Sequence, residues 1–335
     1  MFFLYVFSTG IQMNLVYRVI VYWVLSLICC QIAFAQSDFL TAPFSTVVQW
    51  WQVANNKSAN LYQPRFSKKS PFIEKIYVVG IHPLHNPKRL FEVYAPLIDL
   101  FNHAIPQATF ILEASRNYEE FDKKLYAEHF DFAMPNPYQT INALQHGYHV
   151  FAKMGDDYNF RGIILIRKDS KIKQISDLKN QTLAYPAPTA LAATLMPQYY
   201  LHTHGLDINK DVENRYVGSQ ESAIMNVLKG NVAAGVTWSI PWQTFQQKNP
   251  QLAEKLELKW QTEPLVNNSW VVRSDVSPDI TKKIGDVLLN LQNSEQGKEI
   301  LAAIPVSIFE AANDETYAPV KTFIEKFNVQ VRPLD

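Results

Sequence analysis

The chain has 335 residues in which 31 basic side chains balance 31 acidic ones, so no excess of either sign points to nucleic acid or to an anionic membrane surface. Its 11 glycines form no phosphate-cradling loop, and both of its cysteines, Cys29 and Cys30, sit near the N-terminus. The length is enough for two domains with substantial cores.

In chain order, the first predicted element is a secretory signal peptide over residues 1–35. Arg18 precedes the apolar run Val19 to Cys30, and Ala33-Phe34-Ala35 supplies a cleavage site before Gln36. Translation starts at either Met1 or Met13, because Ser8 to Gln12 interrupts the apolar stretch. The uninterrupted run is shorter than the roughly 20 residues of a spanning helix. Ile28, not a small residue, precedes Cys29, which argues against lipid attachment. The expectation is a free, periplasmic, monomeric protein with no thiol after cleavage, stabilised by burial alone.

Residues 36–70 read as an irregular N-terminal extension. From Pro71 onward, short apolar runs alternate with segments of helical periodicity. Strands are predicted at Ile76 to Ile81, Thr109 to Ala114, Phe130 to Met134 and Val150 to Lys153. Helices fall between them at Lys88 to Ala104, Tyr118 to Glu128 and Pro137 to Leu144. This is an α/β pattern with a mostly parallel sheet.

A first crossing to a second lobe is expected at Tyr158-Asn159-Phe160-Arg161, ahead of the apolar run Gly162 to Ile166. The second lobe has strands at Thr182 to Tyr185, Arg215 to Gly218 and Ala233 to Trp238, with helices at Ala190 to His204 and Glu221 to Lys229. The chain returns through Asn267 to Arg273, and its last helices pack on the first lobe. Lobe 1 is then 71–160 with 268–335, lobe 2 is 161–267, and two crossings form a hinge. Such a cleft is walled by strand C-termini and helix N-termini, whose free N–H groups suit an anionic ligand.

Several local stretches, in order, resemble one family. They are Tyr94-Ala95-Pro96-Leu97, Tyr118, Asp131-Phe132-Ala133, Pro137-Tyr138, Asp169-Ser170-Lys171-Ile172, Asp177-Leu178-Lys179, Gly218-Ser219 and Gly230. Over about residues 76–330 the chain is similar to the phosphate/phosphonate type of periplasmic substrate-binding protein that serves ABC importers. The resemblance implies a two-lobe type II periplasmic binding protein fold and a small-molecule ligand. It also implies a partner in the membrane, either an ABC transporter component or a sensor receptor.

The ligand positions depart from that family. Where a Ser-Thr-Ser-Gly element is expected, this chain has Ala190-Leu191-Ala192-Ala193, preceded by Thr189 as the N-cap. Where His-Asp is frequent after Gly-Ser, it has Gln220-Glu221 behind Ser219. Glu221 either pairs with a cationic ligand group or stabilises its own helix start. Arg161 either holds an oxyanion with its planar fork or makes a surface ion pair. Tyr158, by the resemblance, is a hinge tyrosine that closes on the ligand. His82, Asn136 and Tyr138 complete the expected wall in lobe 1, and Trp238 offers an aromatic face in lobe 2.

No G-x-S-x-G, H-E-x-x-H or G-x-x-x-x-G-K-[ST] motif occurs. The close pairs His82/His85, His146/His149 and His202/His204 lack a third ligand at a recognisable spacing. No cofactor, metal or catalysis is therefore expected. An enzyme on the same scaffold stays the alternative, since a fold does not settle function.

Overall fold

A computed structural model describes residues 75–334, so the expected signal peptide and the extension over 36–70 lie outside the described residues. The first strand, β1 (Lys75–Ile81), runs into helix α1 (Pro87–Ala104), which Asn86 caps by accepting from the Arg89 N–H at 3.0 Å. Leu90, Val93, Tyr94, Leu97, Ile98 and Phe101 recur every three or four residues and are buried. Pro96, inside the helix, lies on its exposed face.

The chain continues through β2 (Ala108–Ala114), α2 (Tyr118–Tyr126), β3 (Phe132–Met134), α3 (Pro137–Leu144) and β4 (Tyr148–Met154). It then crosses to a second sheet. There it forms β5 (Gly162–Arg167), β6 (Gln181–Tyr185), a π-helical turn (Leu191–Leu195) leading directly into α4 (Met196–Thr203), β7 (Val212–Tyr216), α5 (Gln220–Leu228) and β8 (Ala234–Trp238). Next come α6 (Ser239–Lys248), α7 (Pro250–Ala253) and β9 (Leu256–Gln261). After the return crossing the chain adds β10 (Ser269–Arg273), α8 (Pro278–Leu289), α9 (Glu295–Ala303), β11 (Phe309–Ala311) and α10 (Ala318–Gln330).

The first sheet is six-stranded in the order β11-β4-β10-β3-β1-β2, and the second is five-stranded in the order β7-β6-β8-β5-β9. Strand β1 is parallel to β2 and β3, and β6 is parallel to β7 and β8. The strands that follow each crossing run the other way: β5 is antiparallel to β8 and β9, and β10 to β3 and β4. The sheets are thus mixed where the repeated strand-helix pattern suggested mostly parallel pairing. A chain that enters from the opposite lobe arrives at the far end of the sheet and must run back along it.

Two local differences from the sequence reading have physical causes. Strand β7 occupies Val212–Tyr216 instead of Arg215 to Gly218, because its register with β6 is fixed from Gln181↔Val212 and Gly218 turns away with φ +86°. The helix after β6 is capped by Ala190, not Thr189, and opens as a π turn. Helix α6 and strand β11 were not legible in the pattern.

The hydrophobic core has a large aromatic cluster on one face of the first sheet, built from Tyr77, Phe101, Phe110, Phe132 and Trp270. A second cluster runs from the other face, through Phe121, Phe130 and Tyr148, across Phe160 and Trp238, into the second lobe at Leu191 and Leu195. The crossing segments bond to one another: the Thr262 N–H donates to the Gly162 carbonyl at 2.9 Å, and the Leu265 N–H to the Phe160 carbonyl at 3.0 Å. Asn267 donates through its amide to the Gly155 carbonyl at 2.8 Å. Lys153, nearly buried, anchors this region with Nζ at 2.9 Å from Asp157 and 2.6 Å from Glu310.

Candidate ligand-binding cleft

Where the two lobes meet, a cavity of about 20 Å³ is lined from the first lobe by His82, Tyr118 and Asn136 and from the second by Ala190 to Ala193, Gln220 and Trp238. Phe160 and Asn268, one from each crossing, line its hinge side. That volume holds about one water molecule, so the lobes are closed on each other.

Each wall residue is positioned by a strand end or a helix start. His82 follows β1 directly, and its Nδ1 donates to the Met134 carbonyl at 2.9 Å, which leaves Nε2 as an acceptor. Burial depresses its pKa to about 4, with the bond to Met134 acting the other way, so the ring is neutral near pH 7. Asn136 caps α3, accepting from the Tyr138 N–H at 2.9 Å and the Gln139 N–H at 3.2 Å. Gln139 returns a bond to the Asn136 N–H at 2.9 Å and completes a capping box. The Asn136 amide group therefore points its Nδ2 across the cleft, at 3.4 Å from the Thr189 carbonyl of the other lobe.

On the second lobe, Gly162 lets the start of α4 sit against β5. A Cβ there would stand 2.3 Å from the Ala192 carbonyl and 2.5 Å from Pro197. No side chain caps the helix start at Ala190, and the N–H groups of Leu191, Ala192 and Ala193 have no acceptor among the described residues. These three amides form the donor end of a helix opening on the cavity. Gln220 accepts from the Thr237 hydroxyl at 2.8 Å, and burial pushes the hydroxyl of Tyr118, in the same cavity wall, well above the usual phenol range. Trp238 is buried with its ring 5.4 Å from that of Phe160. Asn268 is buried too, and its Oδ1 has no partner among the described residues.

The structure thus brings His82, Asn136, Ala190, Gln220 and Trp238 together in one cavity. Tyr138 is buried in α3 beside it, and Thr189 presents only its carbonyl. Ser219 caps α5 by accepting from the Ser222 N–H at 3.1 Å, and Glu221 is exposed on the first turn of that helix. Tyr158 and Arg161 lie outside the cavity. Tyr158 is 63% exposed, and Arg161 folds back so that Nε donates to the Tyr158 carbonyl at 2.8 Å. Tyr158 lies in a single helical turn over Asp157–Asn159 between β4 and β5, and Arg161 follows it. Sequence reasoning passed over Tyr118, Phe160, Leu191 to Ala193 and Asn268 as ligand neighbours; the paired Asn267-Asn268 at the return crossing was the available signal.

This is the architecture of a two-lobe binding protein, with a cleft between lobes joined by two crossings. A family model for the periplasmic substrate-binding protein of phosphonate ABC transporters matches residues 79–317, and the chain belongs to that family. Its relatives include a probable ABC transporter phosphite binding protein from Prochlorococcus marinus, 27% identical over 57% of this chain and 67% of the relative. Among solved structures, the PhnD1 protein of the same organism in complex with methylphosphonate superposes with a TM-score of 0.70 at 22% identity, covering 76% of this chain and 98% of that one. The binding component of an ABC phosphonate transporter from Pseudomonas aeruginosa superposes with a TM-score of 0.69 at 18% identity, covering 76% and 87%.

Proposed function

We propose that this protein is an exported, periplasmic and monomeric binding protein that captures a small phosphonate-like oxyanion in the interlobe cleft and presents it to an ABC importer. The observation that carries the reading is the row of free N–H groups at Leu191, Ala192 and Ala193, aimed into a cavity with walls from both lobes. Oriented amides at a helix start hold an oxyanion without a cationic side chain. The Asn136 amide adds a donor from the opposite lobe.

The remaining wall chemistry supports binding over catalysis. The titratable side chains lining the cavity are His82 and Tyr118, whose rings are 6.1 Å apart and edge-on. The His82 Nε2 is free to accept, but among the described residues no Ser, Thr, Cys, Lys or carboxylate side chain lines the cavity beside it, so the wall pairs no nucleophile with a base. Entry of a ligand into so small a space requires the lobes to part about the two crossings, and closure then surrounds it.

The test is calorimetry and thermal melting of ligand-stripped protein with methylphosphonate, phosphite and phosphate, against acetate as a planar carboxylate. Binding to the folded state alone stabilises by RT ln(1 + [L]/Kd), about 2.7 kcal/mol at a hundredfold excess over Kd. At least one tetrahedral oxyanion should raise the melting temperature. Absence of any shift across the panel at millimolar concentrations would sink the reading.

A further inference from the structure

A second chamber lies at the mouth of the same cleft, with a volume of about 90 Å³. Leu84, His85, Asn86 and Arg89 line it from the first lobe, and Ser219, Gln220, Glu221, Thr244 and Lys248 are among its walls in the second. Gln220 lines both this chamber and the inner cavity, so the two are neighbours across one side chain. The inner cavity has no Arg or Lys in its wall, whereas the outer one has Arg89 and Lys248 facing each other from opposite lobes.

The charges there are unbalanced around His85. Arg89 has a contact with Glu92 at 3.3 Å, and Lys248 makes no ion pair among the described residues. Burial first, then Arg89, with His82 and Lys248 after it, holds the His85 pKa down to about 4. Glu221, exposed on the first turn of α5, lines the same chamber, so one carboxylate stands against the two cations there. Closing the lobes therefore brings two cations and one carboxylate around a chamber whose His85 imidazole is neutral near pH 7. An anionic group seated there balances the remaining positive charge.

We infer that the chamber is a subsite for a second anionic group of the ligand, a carboxylate held between Arg89 and Lys248 while the oxyanion head occupies the amide row at Leu191 to Ala193. This rests on the proposed binding of an oxyanion in the inner cavity. The ligand class it defines is a short phosphonate with a terminal carboxylate. Lobe closure assembles the subsite, since each cation belongs to a different lobe.

The experiment compares phosphonoacetate, 3-phosphonopropionate and 4-phosphonobutyrate with alkylphosphonates of equal length by calorimetry. Arg and Lys bonds to carboxylates are charge-assisted, so at least one carboxylated member should bind about tenfold more tightly than its alkyl counterpart. In the R89Q/K248Q double variant that advantage should fall below about threefold, while methylphosphonate affinity stays within about twofold of the parent protein. Both side chains reach solvent, and a melting curve verifies that the variant is folded.

The inference is overturned if no carboxylated member gains over its alkyl partner, or if the gain survives in the double variant. Binding of methylphosphonate with no gain removes this inference alone. Binding of a carboxylated member that depends on Arg89 and Lys248, without any binding of methylphosphonate, keeps the subsite and removes the proposed oxyanion head site. No binding by any phosphonate overturns both.

Discussion

At the scale of single residues, the cleft shows how much a position depends on what the backbone does around it. His82, Asn136 and Gln220 were legible because each sits at a strand end or helix start, where α/β clefts place their contacts. Tyr158 and Arg161 were not, since nothing in their spacing announces the helical turn that leaves Tyr158 exposed or the bond by which Arg161 folds back on its carbonyl. Beside the cleft, Asp122 accepts from the Gln139 amide at 2.6 Å and is pushed up to about 6 by burial, which outweighs that bond. A raised acid contributes stability below its unfolded value of 3.8 and loses it as pH rises through about 6, so the ionised carboxylate is a cost at neutral pH. Asp122→Asn keeps the acceptor and should stabilise the protein by about 1–3 kcal/mol at pH 7, with the gain vanishing toward pH 4. Chemical denaturation of both proteins across that range checks it; a gain constant with pH would assign the effect to packing instead. His82 acts in the opposite sense, losing stability as pH falls from 6.5 through about 4, but it is common to both proteins and cancels in the difference.

At the scale of elements, nearly every strand and helix of the two lobes followed from periodicity, and the departures came from long-range pairing. Strand β7 slid because β6 dictates its register, and β11 is three residues long and exists only by pairing with β4. The π turn over Leu191–Leu195 carries the amides proposed to hold the ligand. Its amides face the cavity because Gly162 admits the Ala192 carbonyl where any Cβ would collide at 2.3 Å. Gly162→Ala should therefore push the π turn outward, at about 1–3 kcal/mol of stability for an overpacked site. Oxyanion affinity should drop about tenfold or more, because the donors move with the turn. Calorimetry beside a melting curve separates the two effects. An unchanged affinity in a destabilised protein would show that the amide row does not hold the ligand.

At the scale of the whole molecule, the two sheets differ in how they are assembled along the chain. All five strands of the second sheet lie between Gly162 and Gln261. The first sheet has β10 inserted between β3 and β4, and contacts such as Thr140 to Ser269, a hydroxyl pair at 2.7 Å, join residues 129 positions apart. Distant pairing slows folding because loop closure precedes any compensating contact. In refolding followed by pulsed hydrogen exchange, the Leu183 and Leu165 amides should gain protection before those of Val271 and Ala152. Simultaneous protection would show that the lobes fold as one unit. The mixed order of the first sheet then has a meaning for biosynthesis. A growing chain has all five strands of its second sheet while the first sheet still has a gap at its centre, and that gap closes only when Ser269–Arg273 arrives. The cleft wall contributed by Asn268 is consequently made only after the whole second sheet, and a chain cut short before it lacks that side of the cavity.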